Sequence, residues 1–107
     1  MTIMHLTVYE AHEARVRIVR RSLLQQVNRQ CERENFPFLT LDDLPDIPIV
    51  CPLLGLELRR SPYRKPIDES YWVDIIEDGL GYVKGNLQII SYKAYKMRKR
   101  GDSTKEK

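Results

Sequence analysis

The side chains able to hold a metal or attack a bond are few and scattered. Two cysteines, Cys31 and Cys51, stand twenty positions apart with no C-x-x-C pair, and the two histidines, His5 and His12, lie far upstream. A structural zinc site needs about four well-spaced ligands, so zinc is excluded on this count. The thiols read as buried apolar residues of an intracellular protein. Carboxylates gather in the middle of the chain: Asp42, Asp43 and Asp46, then Asp68, Glu69, Asp74, Glu77 and Asp78. Cations gather towards the ends. Arg15, Arg17, Arg20 and Arg21 share one acid-free stretch, and Lys93, Lys96, Arg98, Lys99, Arg100, Lys105 and Lys107 stand against only Asp102 and Glu106. In a chain of net charge +3 such segregation suggests contact with a polyanion. The plain alternative is a set of solvated helix faces.

These side chains must be positioned by a small scaffold. A chain of 107 residues holds one domain with a modest core. Its hydrophobic fraction of 42% and charged fraction of 31% suit a globular fold rather than disorder. No apolar run approaches the roughly 20 residues that span a bilayer. The first ten residues lack the basic and apolar segments of a signal peptide. A soluble, intracellular protein without membrane contact is expected.

Residues 8–35 read as one long helix. Val16, Val19, Leu23, Val27 and Cys31 recur at spacings of three and four, which sets them on one stripe. Thr7 and Glu10 have capping-box spacing, and Asn35 and Pro37 end the run. The stripe must pack on the rest of the chain or on a second copy. Residues 36–50 form a proline-stiffened connector, with a helical turn at 41–44 capped by Thr40. Gly55 turns the chain within 53–58, and Arg59 to Asp68 reads as an exposed polar loop. Tyr71–Ile76 and Leu87–Ser91 are rich in β-branched, aromatic and aliphatic residues and read as strands. About ten residues join them, long enough for an antiparallel pair with a wide loop. Ser91 can cap a final helix over 92–100, with Gly101 as its stop. Residues 101–107 are a polar tail. The fold class is α+β, a long helix followed by strand, loop, strand and helix.

Three segments carry a resemblance to known proteins. Gly81-Tyr82-Val83-Lys84-Gly85-Asn86-Leu87-Gln88-Ile89-Ile90-Ser91 resembles a run common in phage HNH endonucleases, between an acidic strand and a helix opening Ala-Asn. Cys51-Pro52-Leu53-Leu54-Gly55-Leu56-Glu57-Leu58 is similar to a second element of that group. Phe36-Pro37-Phe38, followed by Leu41-Asp42-Asp43-Leu44, looks like its linker. The resemblance spans Phe36 to Arg100 with the elements in order, and implies a ββα-metal unit over 51–100. It further implies phage origin and residence in the cytoplasm of an infected bacterium.

In that family an acid ending the first strand binds a divalent cation, Mg²⁺ or Mn²⁺. A histidine beside the acid activates water. A gapless alignment puts the acid at Asp74, the general base at Ile75, the bracing asparagine at Asn86 and the second metal ligand at Tyr95. Ile75 has no proton to exchange, and a tyrosine with a pKa near 10 is a poor ligand for a hard cation. Two of the four roles survive, so metal binding at Asp74 should be weak and cleavage impaired. Asp74 also reads simply as a polar strand end, and Asn86 as a loop brace in any case. Tyr71 and Trp72 read as core and rim residues rather than a stacking platform.

Three functions follow from this. The first is a nuclease-derived protein that binds DNA with little cleavage, its final helix offering Lys93, Lys96, Arg98, Lys99 and Arg100 to phosphates. The second is a small inhibitor that binds a host or defence protein through the same scaffold. The third is an active nickase whose site is relocated towards Glu77 or Asp78.

Overall fold

Twenty-six consecutive residues without glycine or proline form the first helix, α1 (Val8–Arg33), in a computed structural model that describes residues 8–100, with side chains from Glu13 onward. The Thr7–Glu10 cap, both histidine side chains and the 101–107 tail lie outside the described residues. Helical spacing puts Val19, Leu23, Val27 and Cys31 on one face, and all four are buried, at 3% exposure or less. Val16, one turn earlier, is half-buried. From Val19 onward the stripe is filled by the chain's own core, so that face is not available to a second copy. Asn35 takes the left-handed φ of 62°, and the Phe36 N–H donates back to the Cys31 carbonyl at 2.8 Å, closing the helix.

The connector is tied to α1 by side chains rather than by its own backbone. The Asn28 amide pairs with both backbone groups of Leu39, accepting from its N–H at 2.8 Å and donating to its carbonyl at 3.1 Å. Arg20 donates to the carbonyls of Leu41 and Pro45. The expected turn is a short 3-10 helix, Leu41–Asp43, and the Thr40 N–H donates to the Asp43 carboxylate at 2.7 Å. Downstream, residues 50–58 fold into a knuckle. The Cys51 N–H donates to Leu56 at 2.7 Å, Gly55 donates back to Cys51 at 2.8 Å, and Gly55 sits at φ +76°, a conformation that favours glycine.

β1 (Tyr71–Ile75) and β2 (Leu87–Ser91) pair antiparallel, with Tyr71 opposite Ser91 and Ile75 opposite Leu87. α2 (Tyr92–Lys99) follows at once, its first turn capped by Ser91, whose hydroxyl accepts from the Ala94 N–H at 3.0 Å. Side chains alternate along a strand, so Trp72 and Asp74 share the face that α2 covers. The free edge of β1 is met by α1: the Val73 N–H donates to the Gln26 side chain at 2.9 Å. The core gathers the α1 stripe, the knuckle, both strands and Ala94. The architecture is α+β, with a long first helix and a two-stranded sheet. Among the described residues no helix is long and apolar enough to cross a membrane.

Candidate functional site

Asp74, the acid at the end of β1, is buried, with only 6% exposure. An isolated carboxylate there would be strongly disfavoured. Its partner is Arg98, placed one α2 turn beyond Ala94 so that its side chain reaches back over β1. The guanidinium donates to Asp74 Oδ2 and, at 3.3 Å, to the Ile75 carbonyl. One cation thus ties the strand end to the last turn of α2. Arg98 was expected among the phosphate contacts; its side chain is turned inward instead, with 16% exposure.

The other aligned positions fall around this pair. Ile75 points to the opposite face and packs half-buried against the core. Tyr95 shares with Asp74 the wall of a cleft of about 140 Å³ between α1, β1 and α2. Its ring packs on Trp72 at 5.1 Å, and the Lys99 ammonium lies 5.4 Å from its centre. Asn86 is a loop brace. Its amide accepts from the Glu77 N–H and donates to the Glu77 carbonyl, both at 2.9 Å, and donates to Gly81 at 2.7 Å.

The glycine that opens the Gly-Tyr motif is required twice over. Gly81 has φ +72°, and the Phe36 ring occupies the space a Cβ would need. Tyr82 then meets Phe36 edge-on at 5.4 Å and donates its hydroxyl to Glu34 at 3.3 Å. Burial first, and the Glu34 carboxylate second, push the Tyr82 phenol up to about 12. Cys51 in the knuckle accepts the Ser91 N–H at 3.3 Å. Burial alone would raise that thiol, but hydrogen bonds from Ser91 and the Leu53 and Leu54 backbone outweigh it and lower its pKa. Both cysteines are free and buried.

A divalent cation does not fit the residues present. The Asp74 carboxylate is taken by a guanidinium, and the position opposite it holds a phenol. Among the described residues no group of three or more His, Cys, Asp or Glu converges. Glu77 and Asp78 are exposed on the interstrand loop, and the Glu77 backbone is engaged by Asn86.

The cleft wall is instead cationic. Arg29, Arg33 and Lys99 line it, and Asp74 is its one acid among the described residues. Arg29 and Arg33 stand one turn apart on α1, off the apolar stripe, a spacing visible in sequence, but only β1 beside them makes them walls of a cleft. Of the final-helix cations, Lys96 pairs with Asp68 at 3.1 Å while Lys93 and Lys99 are exposed. Arg100 is also exposed and makes an interaction of its own.

Comparison of the chain with family models, with curated proteins and with solved structures found no match.

Proposed function

We propose that this chain is a nucleic-acid-binding protein built on an HNH-like, nuclease-derived unit, and that it binds without cutting. One observation carries the reading: the cleft at the strand–helix junction is lined by cations, and its one carboxylate among the described residues is already neutralised by Arg98. Arg29, Arg33 and Lys99 would accept phosphates there, and Lys93 would extend the footprint along α2. The order strand, loop, strand, helix and the Asn86 brace support the nuclease-like scaffold. Hydrolysis would need a base beside Asp74 and a bound cation; Ile75 offers no base, and Arg98 competes for the carboxylate that would hold the cation.

A second reading, an inhibitor that grips a host or defence protein, is favoured by Ile76, Leu80 and Val83. These three large apolar side chains are exposed within one interstrand loop.

The experiment incubates supercoiled DNA with the protein and Mg²⁺ or Mn²⁺, with a gel-shift run in parallel. A shift without nicking is the expected result. Metal-dependent nicking would overturn the non-cutting reading in favour of an active nickase. Neither nicking nor a shift would favour the inhibitor.

A further inference from the structure

A second and larger hollow adjoins the cleft. It has a volume of about 390 Å³ and lies between α1 and the loop that precedes β1. We propose that this hollow takes one unpaired strand of nucleic acid, which it leads towards the Asp74 cleft. The proposal rests on the nucleic-acid reading above and names the form of nucleic acid that the surface suits.

Charge comes first. Arg29 reaches the hollow from α1, and Arg60, Arg64 and Lys65 reach it from the loop; no acid lines it among the described residues. The ion pairs of this region engage other groups, Arg59 with Glu69 and Lys96 with Asp68, and leave these four cations without a carboxylate partner among the described residues. Four uncompensated cations around one concavity repel one another, and a phosphate backbone relieves that repulsion.

Shape and stacking come next. Duplex DNA is read by an element that protrudes into its groove. A concave, basic channel with aromatic side chains suits a single strand, whose bases are free to stack. Tyr63 lines the hollow and is 73% exposed, an aromatic ring with no packing role in the core. Tyr71 and Trp72 contribute to the wall, as do the polar side chains of Ser22 and Gln25.

The loop is built to hold this position. The Ser61 hydroxyl donates to the Lys65 carbonyl at 2.6 Å and accepts from the Tyr63 N–H at 3.0 Å. At the loop's base the Arg59 N–H donates to Glu69 at 3.0 Å, and the Ser70 carbonyl accepts from the Tyr92 N–H at 2.8 Å, fixing it to the start of α2. The two hollows adjoin, with Gln26, Arg29 and Trp72 in the walls of both. A strand crossing Trp72 would pass from the loop cations to Arg33 and Lys99.

The test is fluorescence anisotropy with labelled single strands of about 12 nucleotides, a length within single-strand site sizes. The probes are oligothymidylate and oligouridylate, with a DNA duplex of equal length and polyglutamate as comparators. The full chain is compared with the combined variant Arg60→Ala, Arg64→Ala, Lys65→Ala, and with Tyr63→Ala. All four side chains are exposed, so the variants should keep the parent melting temperature.

The expected result is tighter binding of a single strand than of the duplex, the two labelled strands showing whether the sugar matters. The triple variant should flatten the slope of log K against log salt by about 2, from roughly 0.7 per phosphate contact. Tyr63→Ala should weaken binding by about 5- to 150-fold, the range of one base–aromatic stack. Duplex bound as tightly as the single strands, or single-strand binding unmoved in the loop variants, would overturn the proposal and leave the broader reading standing. Polyglutamate competing as well as oligothymidylate would also overturn it. Failure to bind either form at low salt would overturn the broader reading itself.

Discussion

Arg98 and Asp74 decide what the cleft can do. The buried Asp74 carboxylate has its charge satisfied by Arg98 from within the chain, so no external ion is needed for it to be stable there. Removing one partner leaves the other buried and unpaired, which typically costs about 3–5 kcal/mol. Arg98→Ala should therefore destabilise the chain by about that much in urea denaturation, whereas Asp74→Leu with Arg98→Met should recover most of the loss. Equal losses in the single and double variants would mean that the pair contributes by packing alone. Tyr82 makes a second residue-level prediction. Its phenol, ordinarily near 10, is held up to about 12 in the folded chain, so the neutral form is the folded form. The stability it supplies is complete below the unfolded value and is lost as pH rises through that window. Tyr82→Phe should flatten this alkaline decline, with a remainder from Tyr71, whose phenol burial also raises. Parallel declines in parent and variant would contradict it.

At the scale of elements, local signals were enough where one rule dominated. The stripe from Val16 to Cys31, the β-rich runs at 71–75 and 87–91, and Ser91 as a cap each follow from side chains close in sequence. The structure reproduces them, with β1 ending at Ile75 rather than Ile76. What stayed illegible depends on residues that are distant in the chain. Nothing near Arg98 in sequence shows that its partner is twenty-four positions away, so it read as one more surface cation. The Asn28 clamp on Leu39 is hidden for the same reason, because an isolated polar residue on a helix carries no address. The α1 stripe allows an element-level check. Leu23 is 3% exposed within the core, so Leu23→Ala should cost roughly 2–5 kcal/mol by urea denaturation. A loss under about 1 kcal/mol would show that the helix does not seat as described.

For the whole molecule, charge placement matters more than net charge. The total of +3 is modest, but α1, the 59–66 loop and α2 bring cations to two adjoining hollows, where Asp74 is the one acid among the described lining residues. The sequence shows basic clusters, yet not that Arg29 shares a hollow with the loop cations, since only the fold of the chain brings them together. Lys96 and Arg98, tied to Asp68 and Asp74, act as braces for that surface rather than as its contacts. Binding through phosphates without a metal is checked by the affinity of the full chain for labelled nucleic acid in EDTA across a salt series. Affinity should be unchanged by chelation and fall steeply with salt, by about 0.7–0.9 in log K per log salt for each of several phosphates contacted. Binding that needs Mg²⁺ or Mn²⁺, or affinity indifferent to salt, would contradict it.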